Sequence, residues 1–175
     1  KKDDLIFNKE LLTAKVSLEE GDDDQAFDIT NRLIKHDNLN QLQIDELLLI
    51  LAQIHDNKDE DDEALEIYRK INKTLKEENL KKVNILSKIC DIYVQHDKIE
   101  EAKELATNGL RISEKLQNKF SKSDFLYELT LIAIRENDRE AISNIKEKST
   151  ILKNDNFSCS KNEITFFLCD LSLFF

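Results

Sequence analysis

Three histidines and three cysteines are the side chains of this sequence best able to ligate a metal or attack a substrate: His36, His55, His96, Cys90, Cys159 and Cys169. A zinc site needs closely spaced pairs such as CxxC or HxxxH, and none of these residues is so placed. A cysteine nucleophile needs a positioned base, and no motif supplies one to Cys159 or Cys169. The 36 acidic residues give close carboxylate pairs by number alone, with no pattern that singles out an acid and a base. With only Gly21 and Gly109, no glycine-rich phosphate loop can form. The expectation is a segment that binds rather than catalyses, with no catalytic residue, no metal and no cofactor.

The elements that carry these residues are helices. There is no proline, and no alternating run of Val, Ile, Thr and aromatics lies between turn residues. Of the 175 residues, 40% are hydrophobic and 35% charged, which suits one domain or one continuous array with its own core. A formal net charge of −10 repels phosphate backbones, so this segment is not expected to touch nucleic acid. Three cysteines without a CxxC pair argue against a disulfide framework and fit a reducing cytoplasm. The most apolar stretch, ITFFLCDLSLFF (164–175), carries Asp170 and falls short of the roughly 20 residues a membrane span needs. The sequence has no methionine and starts on a charged segment, so it reads as a piece of a longer protein.

One phrase recurs four times: an acidic turn followed by a small residue. Aligned on Ala26, Ala64, Ala102 and Ala141, the copies are 38, 38 and 39 residues apart. Twelve residues before each stand Ala14, Ala52, Cys90 and Leu129. A fixed period in this range, with small residues twelve apart, signals stacked helical hairpins whose helices cross closely. The acidic residues before each alanine (Asp23 and Asp24, Asp61 and Asp62, Asp97, Asn137 and Asp138) belong at helix starts, where they complement the helix dipole and act as N-caps. The spacing predicts first helices at 4–20, 42–57, 81–96 and 122–136, and second helices at 23–36, 61–78, 98–117 and 138–153. A ninth, at 161–175, opens a partial fifth unit. Loops are expected at 36–41, 77–81, 117–123 and 154–162. The fold class is all-α, a right-handed superhelix of stacked antiparallel helix pairs. It forms one array over 1–175, with units at 4–40, 41–79, 80–118, 119–158 and, in part, 159–175. The last segment has two readings: the inner helix of a fifth hairpin, or a terminal helix in a dimer interface.

This pattern resembles tetratricopeptide repeats. The small pairs, Tyr68 and Tyr93 at positions where that family favours aromatics, and Gly21 at the first turn carry the resemblance. The period is about four residues longer than the family's 34, the closing proline is missing, and Leu129 stands where a small residue belongs. The resemblance implies that the first helices line a ligand-binding face through three positions in the first unit and four in each of the next three. These are Asn8, Leu11 and Lys15; Glu46, Leu49, Gln53 and Asp56; Asn84, Ser87, Asp91 and Val94; and Ser123, Leu126, Thr130 and Ala133. Lys88, Gln95 and Tyr127 stand beside them. The expected peptide-binding set is Asn8, Lys15, Leu49, Gln53, Asn84, Ser87, Lys88, Asp91, Leu126, Tyr127 and Thr130. Amide and hydroxyl side chains in this set can pair with both the donors and the acceptors of an extended peptide.

The sequence is also similar in style to the C-terminal sensor domains of Gram-positive peptide-pheromone regulators (the PlcR, PrgX and Rgg type). That similarity implies a quorum-sensing transcriptional regulator, cytoplasmic, binding a short peptide and dimerising through its C-terminal region. The alternatives are a scaffold or adaptor that holds another protein, and a regulatory domain that controls an enzyme.

Overall fold

The computed structural model describes residues 2–154 and 160–172. Among them are nine helices and no strand: α1 (Lys2–Glu19), α2 (Asp23–Leu33), α3 (Gln41–Asn57), α4 (Asp61–Thr74), α5 (Leu80–Gln95), α6 (Ile99–Lys115), α7 (Lys119–Arg135), α8 (Arg139–Asn154) and α9 (Ser160–Ser172). The chain is thus an all-α helical repeat. It divides into two compact units, Lys1–Thr74 and Leu75–Phe175.

Asparagine starts three of the first helices. Asn40, Asn79 and Asn118 accept the backbone N–H three residues on, from Gln43, Lys82 and Ser121, at 3.0, 3.0 and 2.8 Å. Gln43 also reaches back to the Asn40 N–H, closing a capping box. The Asn118 cap moves the start of α7 forward to Lys119, so most of the loop expected at 117–123 is helix. At the other end, α4 stops at Thr74 rather than 78, where the Thr74 hydroxyl turns back to donate to the Ile71 carbonyl at 2.7 Å. The α2 helix likewise ends at Leu33, three residues before the expected end at His36.

In the first unit α1 packs on α2 and α3 on α4, while α3 also rests on α2 and α1. Phe7, Leu11, Ala14, Ala26, Ile29, Leu33, Leu47, Ile50 and Ile54 form its core. The second unit repeats this pattern. There α5 pairs with α6 and α7 with α8, and α7 lies on both α5 and α6. The α9 helix continues the stack against α7 and α8.

The turn inside each hairpin is built the same way four times. The N–H groups of Asp22, Glu60, Lys98 and Asp138 donate to the carbonyls of Ser17, His55, Tyr93 and Ala133 at 2.8, 2.9, 2.8 and 2.9 Å. The residues just before these donors, Gly21, Asp59, Asp97 and Asn137, have φ of 81, 58, 58 and 55°. Glycine enters that left-handed region without strain, and Asp and Asn tolerate it better than most residues. Asp97 therefore makes the turn rather than capping the next helix.

These matched bonds fix the register, and they correct the alignment of the fourth hairpin. The steps from Ser17 to His55 to Tyr93 to Ala133 are 38, 38 and 40 residues. Thr130, not Leu129, occupies the slot held by Ala14, Ala52 and Cys90. Ile142, not Ala141, occupies the slot of Ala26, Ala64 and Ala102. Burial agrees: Thr130 and Ile142 are buried, whereas Leu129 and Ala141 are partly exposed. The close crossing that the small pairs imply is visible in the third hairpin, where the Cys90 thiol donates to the Ala102 carbonyl at 3.4 Å.

The α6 helix starts without a side-chain cap. Lys98 holds the N-cap position of α6 with no side-chain bond to the helix, although it extends over the Tyr93 ring at 5.7 Å. Asp22 and Asp138, at the same place in their hairpins, accept from Gln25 and Ala141 at 3.0 and 2.9 Å. Lys98→Asp is expected to raise stability by about 1 kcal/mol, since a carboxylate there both caps the helix and complements its dipole. Urea denaturation checks this against the unchanged wild-type m-value.

Candidate functional site

The first helices of the second unit, α5, α7 and α9, lie side by side. A cavity of about 290 Å³ opens on them, lined by Asp91, Val94 and Gln95 of α5, Tyr127, Glu128 and Leu131 of α7, and Lys161 of α9. The corrected register explains why α7 contributes these residues. Shifted by one, its face positions become Asp124, Tyr127, Leu131 and Ile134 in place of Ser123, Leu126, Thr130 and Ala133. The guanidinium of Arg135 ties α7 to α5 beside the cavity, donating to the Val94 carbonyl at 2.5 Å.

Glu128 is only 3% exposed. Burial, the neighbouring charge of Asp91 and a hydrogen bond with Asp91 push its carboxyl up to about 8. Burial also raises Asp124, although the Lys161 ammonium, 3.7 Å away, draws it down. Burial opposes the charge on Lys161, but Asp124, Asp91 and Glu128 outweigh it and hold the ammonium above its usual value. Lys161 also lies over the Tyr127 ring at 5.5 Å. The site is a carboxyl-rich cavity with one ammonium at its edge, an aromatic ring and two aliphatic walls.

The expected binding residues fall into three groups. Asp91 and Tyr127 line the cavity, with Asn84, Ser87 and Lys88 along the same helix, α5; of these, Asn84 is exposed and the other two half-buried. In the first unit, Asn8 is exposed on α1, Leu49 and Gln53 are half-buried on α3, and Lys15 forms an ion pair with Glu46 at 2.8 Å. Leu126 and Thr130 are fully buried and out of a peptide's reach. The Thr130 hydroxyl donates to the Leu126 carbonyl at 2.7 Å and sits 3.9 Å from the Cys169 sulfur. Their misplacement follows from the one-residue register error. Glu128, Leu131 and Lys161 were missed, and a shift of one residue along α7 was the signal that would have found Leu131.

Cys90 and Cys169 pack in the interior. The Cys90 thiol is buried, and burial followed by the charge of Glu128 pushes its ionisation far above the usual range. Cys169 is buried, its thiol donating to the Ile142 carbonyl at 3.8 Å. Cys159 lies outside the described residues. His55 meets Glu60 at 2.5 Å, His36 packs edge-on to Phe7, and His96 ends α5. Among the described residues no helix is long and apolar enough to cross a membrane.

Stacked antiparallel helix pairs with a polar cavity on their first helices define the class as an all-α helical-hairpin repeat. Within that class, the solved structure of BtubC (BKLC) from P. vanneervenii is similar, with a TM-score of 0.74 over 91% of this chain and 70% of that one. Sequence identity is 17%, so the likeness is one of fold. No protein-family model and no curated protein matches the sequence.

Proposed function

We propose that this chain is a tetratricopeptide-like module that binds a short peptide along its first helices, and that it senses that ligand for a bacterial transcriptional regulator in the cytoplasm. The observation that carries the peptide reading is the cavity on α5, α7 and α9, with Asp91, Gln95 and Tyr127 offering hydrogen bonds beside Val94 and Leu131. Exposed Asn84 and half-buried Ser87 extend the same polar line along α5. The role is binding without catalysis. The regulator reading rests on the resemblance in sequence style, and it includes homodimerisation through the C-terminal region. On α9, Ile164, Phe167 and Leu171 are 44, 61 and 41% exposed and share one side of the helix, as a contact surface would. The same exposed residues favour the adaptor reading, in which another protein covers them.

Selection of randomised heptapeptides displayed on phage, followed by calorimetry on the winners, tests the peptide reading. Tyr127→Ala and Asn84→Ala are expected to weaken the selected peptides by roughly tenfold each, the loss of about 1–2 kcal/mol typical of an interface anchor, with the melting midpoint kept. Absence of any enriched peptide, or full affinity in both variants, overturns it. A basic helix-turn-helix segment before Lys1 in the natural protein is the regulator's further requirement.

A further inference from the structure

The first helix of the array carries apolar side chains on two faces. Phe7, Leu11 and Ala14 turn inward and belong to the core of the first unit. On the far side, Leu5, Leu12 and Val16 are 71, 62 and 42% exposed. Together with Lys9 they hold positions i, i+4, i+7 and i+11, which form one stripe along a helix. The stripe runs for roughly 16 Å at 1.5 Å per residue.

The repeat register shows what this stripe is equivalent to. One step of 38 residues carries Lys9, Leu12 and Val16 onto Leu47, Ile50 and Ile54 of α3. Those three are buried and share one core with residues of α1 and α2. Further steps of 38 and 40 reach Phe125, Glu128 and Ile132 of α7, which are buried as well, with Phe125 against Gly109 of α6. These are the positions by which a first helix stacks on the hairpin before it. In α1 the same positions are exposed, and two of the three are apolar.

Lys9 decides what fits there. Its equivalents, Leu47 and Phe125, are wholly buried on helices that each rest on a pair of helices. A lysine enclosed in that way would lose its water at a large cost. A single helix laid along the stripe leaves both flanks open. Lys9 then spreads its carbon stem over apolar surface and keeps its ammonium in water. The stripe also fits itself. When two α1 helices run antiparallel about a two-fold axis, Leu5 meets the partner's Val16 and Lys9 meets the partner's Leu12.

We infer that the outer stripe of α1, made of Leu5, Lys9, Leu12 and Val16, is a self-association surface that joins two copies of this chain through antiparallel α1 helices. The contact rests on neither the peptide reading nor the regulator reading, and it is distinct from the exposed face of α9.

Sedimentation equilibrium of the whole chain tests it, with circular dichroism as the check on folding. One helix against one helix lies at the small end of interface sizes, so a dimer with a Kd of roughly 10–100 µM is expected. Leu12→Glu alters an exposed residue and is expected to keep the helix content and melting midpoint. It should weaken the dimer about a hundredfold, because the two-fold axis applies the change twice. Lys9→Leu installs the residue found at the equivalent place in α3 and should tighten the dimer about tenfold. Phe167→Glu on α9 should leave it unchanged. A wild-type chain that stays monomeric at about 1 mM, well above the expected Kd, overturns the inference and leaves the stripe to a helix of another protein. A dimer that survives Leu12→Glu, or that Lys9→Leu fails to tighten, overturns it too. Dissociation by Phe167→Glu alone overturns it while the C-terminal dimer of the proposed function stands.

Discussion

Gly109→Leu is expected to cost the protein about 3 kcal/mol, the upper part of the overpacking range. Glycine in the middle of a helix is itself unfavourable by roughly 0.5–1 kcal/mol relative to alanine, so its place in α6 needs a cause. The cause is Phe125 of α7. A Cβ on Gly109 would fall within the contact envelope of the Phe125 ring, which is fully buried. The two helices approach as closely as they do because one of them has no side chain there. Gly109→Ala sets a gain in helix propensity against the same clash and is expected to lose about 1 kcal/mol. The leucine variant should melt roughly 6–12 °C lower, at the 2–4 °C per kcal/mol usual for a chain of this size. Phe125→Leu in the Gly109→Ala background should restore part of the loss, because the two sites are in contact and do not add independently. Wild-type stability in Gly109→Leu, measured by circular dichroism on heating and in urea, would mean that α6 and α7 do not cross at this glycine.

Glu128→Gln is expected to change how stability depends on pH. The Glu128 carboxyl has a folded-state pKa of about 8 against an ordinary value of 4.5. Between those values the folded protein holds a proton that the unfolded chain has released. Stability from this group is therefore fully present below pH 4.5 and is lost as pH rises toward 8 and past it. Asp124, also raised by burial, adds to the same trend. Glu78 opposes it at the acid end. Its hydrogen bonds to Arg111 and Lys115 lower it to about 2, so its contribution is lost as pH falls from 4.5 toward 2. Glutamine keeps the shape of a protonated glutamate and cannot ionise. The variant should match the wild type near pH 4 and exceed it above pH 8 by on the order of 2 kcal/mol, since a shift of one unit is worth about 1.4 kcal/mol and charging the site meets partial relaxation. Urea midpoints measured from pH 4 to 9 give the difference curve, and parallel curves for the two proteins would place Glu128 in solvent.

The helical hairpins were legible because their determinants are local. Small residues at Ala14 and Ala26, or Ala52 and Ala64, mark a crossing, and a residue of turn type such as Gly21 or Asn137 marks each reversal. The fourth hairpin misled for a physical reason. Its turn is two residues further on than the 38-residue spacing predicts, and Ala141 beside Ile142 offers a small residue one step from the true slot. Burial of Ile142 and Thr130 in place of Ala and Leu shows that the crossing accepts a β-branched pair. The cavity was less legible. Asp91 and Tyr127 could be found from their helix positions, but Glu128 is one of 36 acidic residues and nothing adjacent to it in sequence marks it. Its environment comes from Asp91 and Lys161, on two other helices.

The proposed ligand face is that of α5 and α7 in the shifted register. Amide NMR mapping with a selected peptide tests it most directly. Binding at this face predicts the largest shifts at Asp91, Gln95, Tyr127 and Leu131, with Leu126 and Thr130 moving little beneath them. Shifts confined to the exposed face of α9 at Ile164, Phe167 and Leu171, or spread along the outer residues of α6, would contradict it.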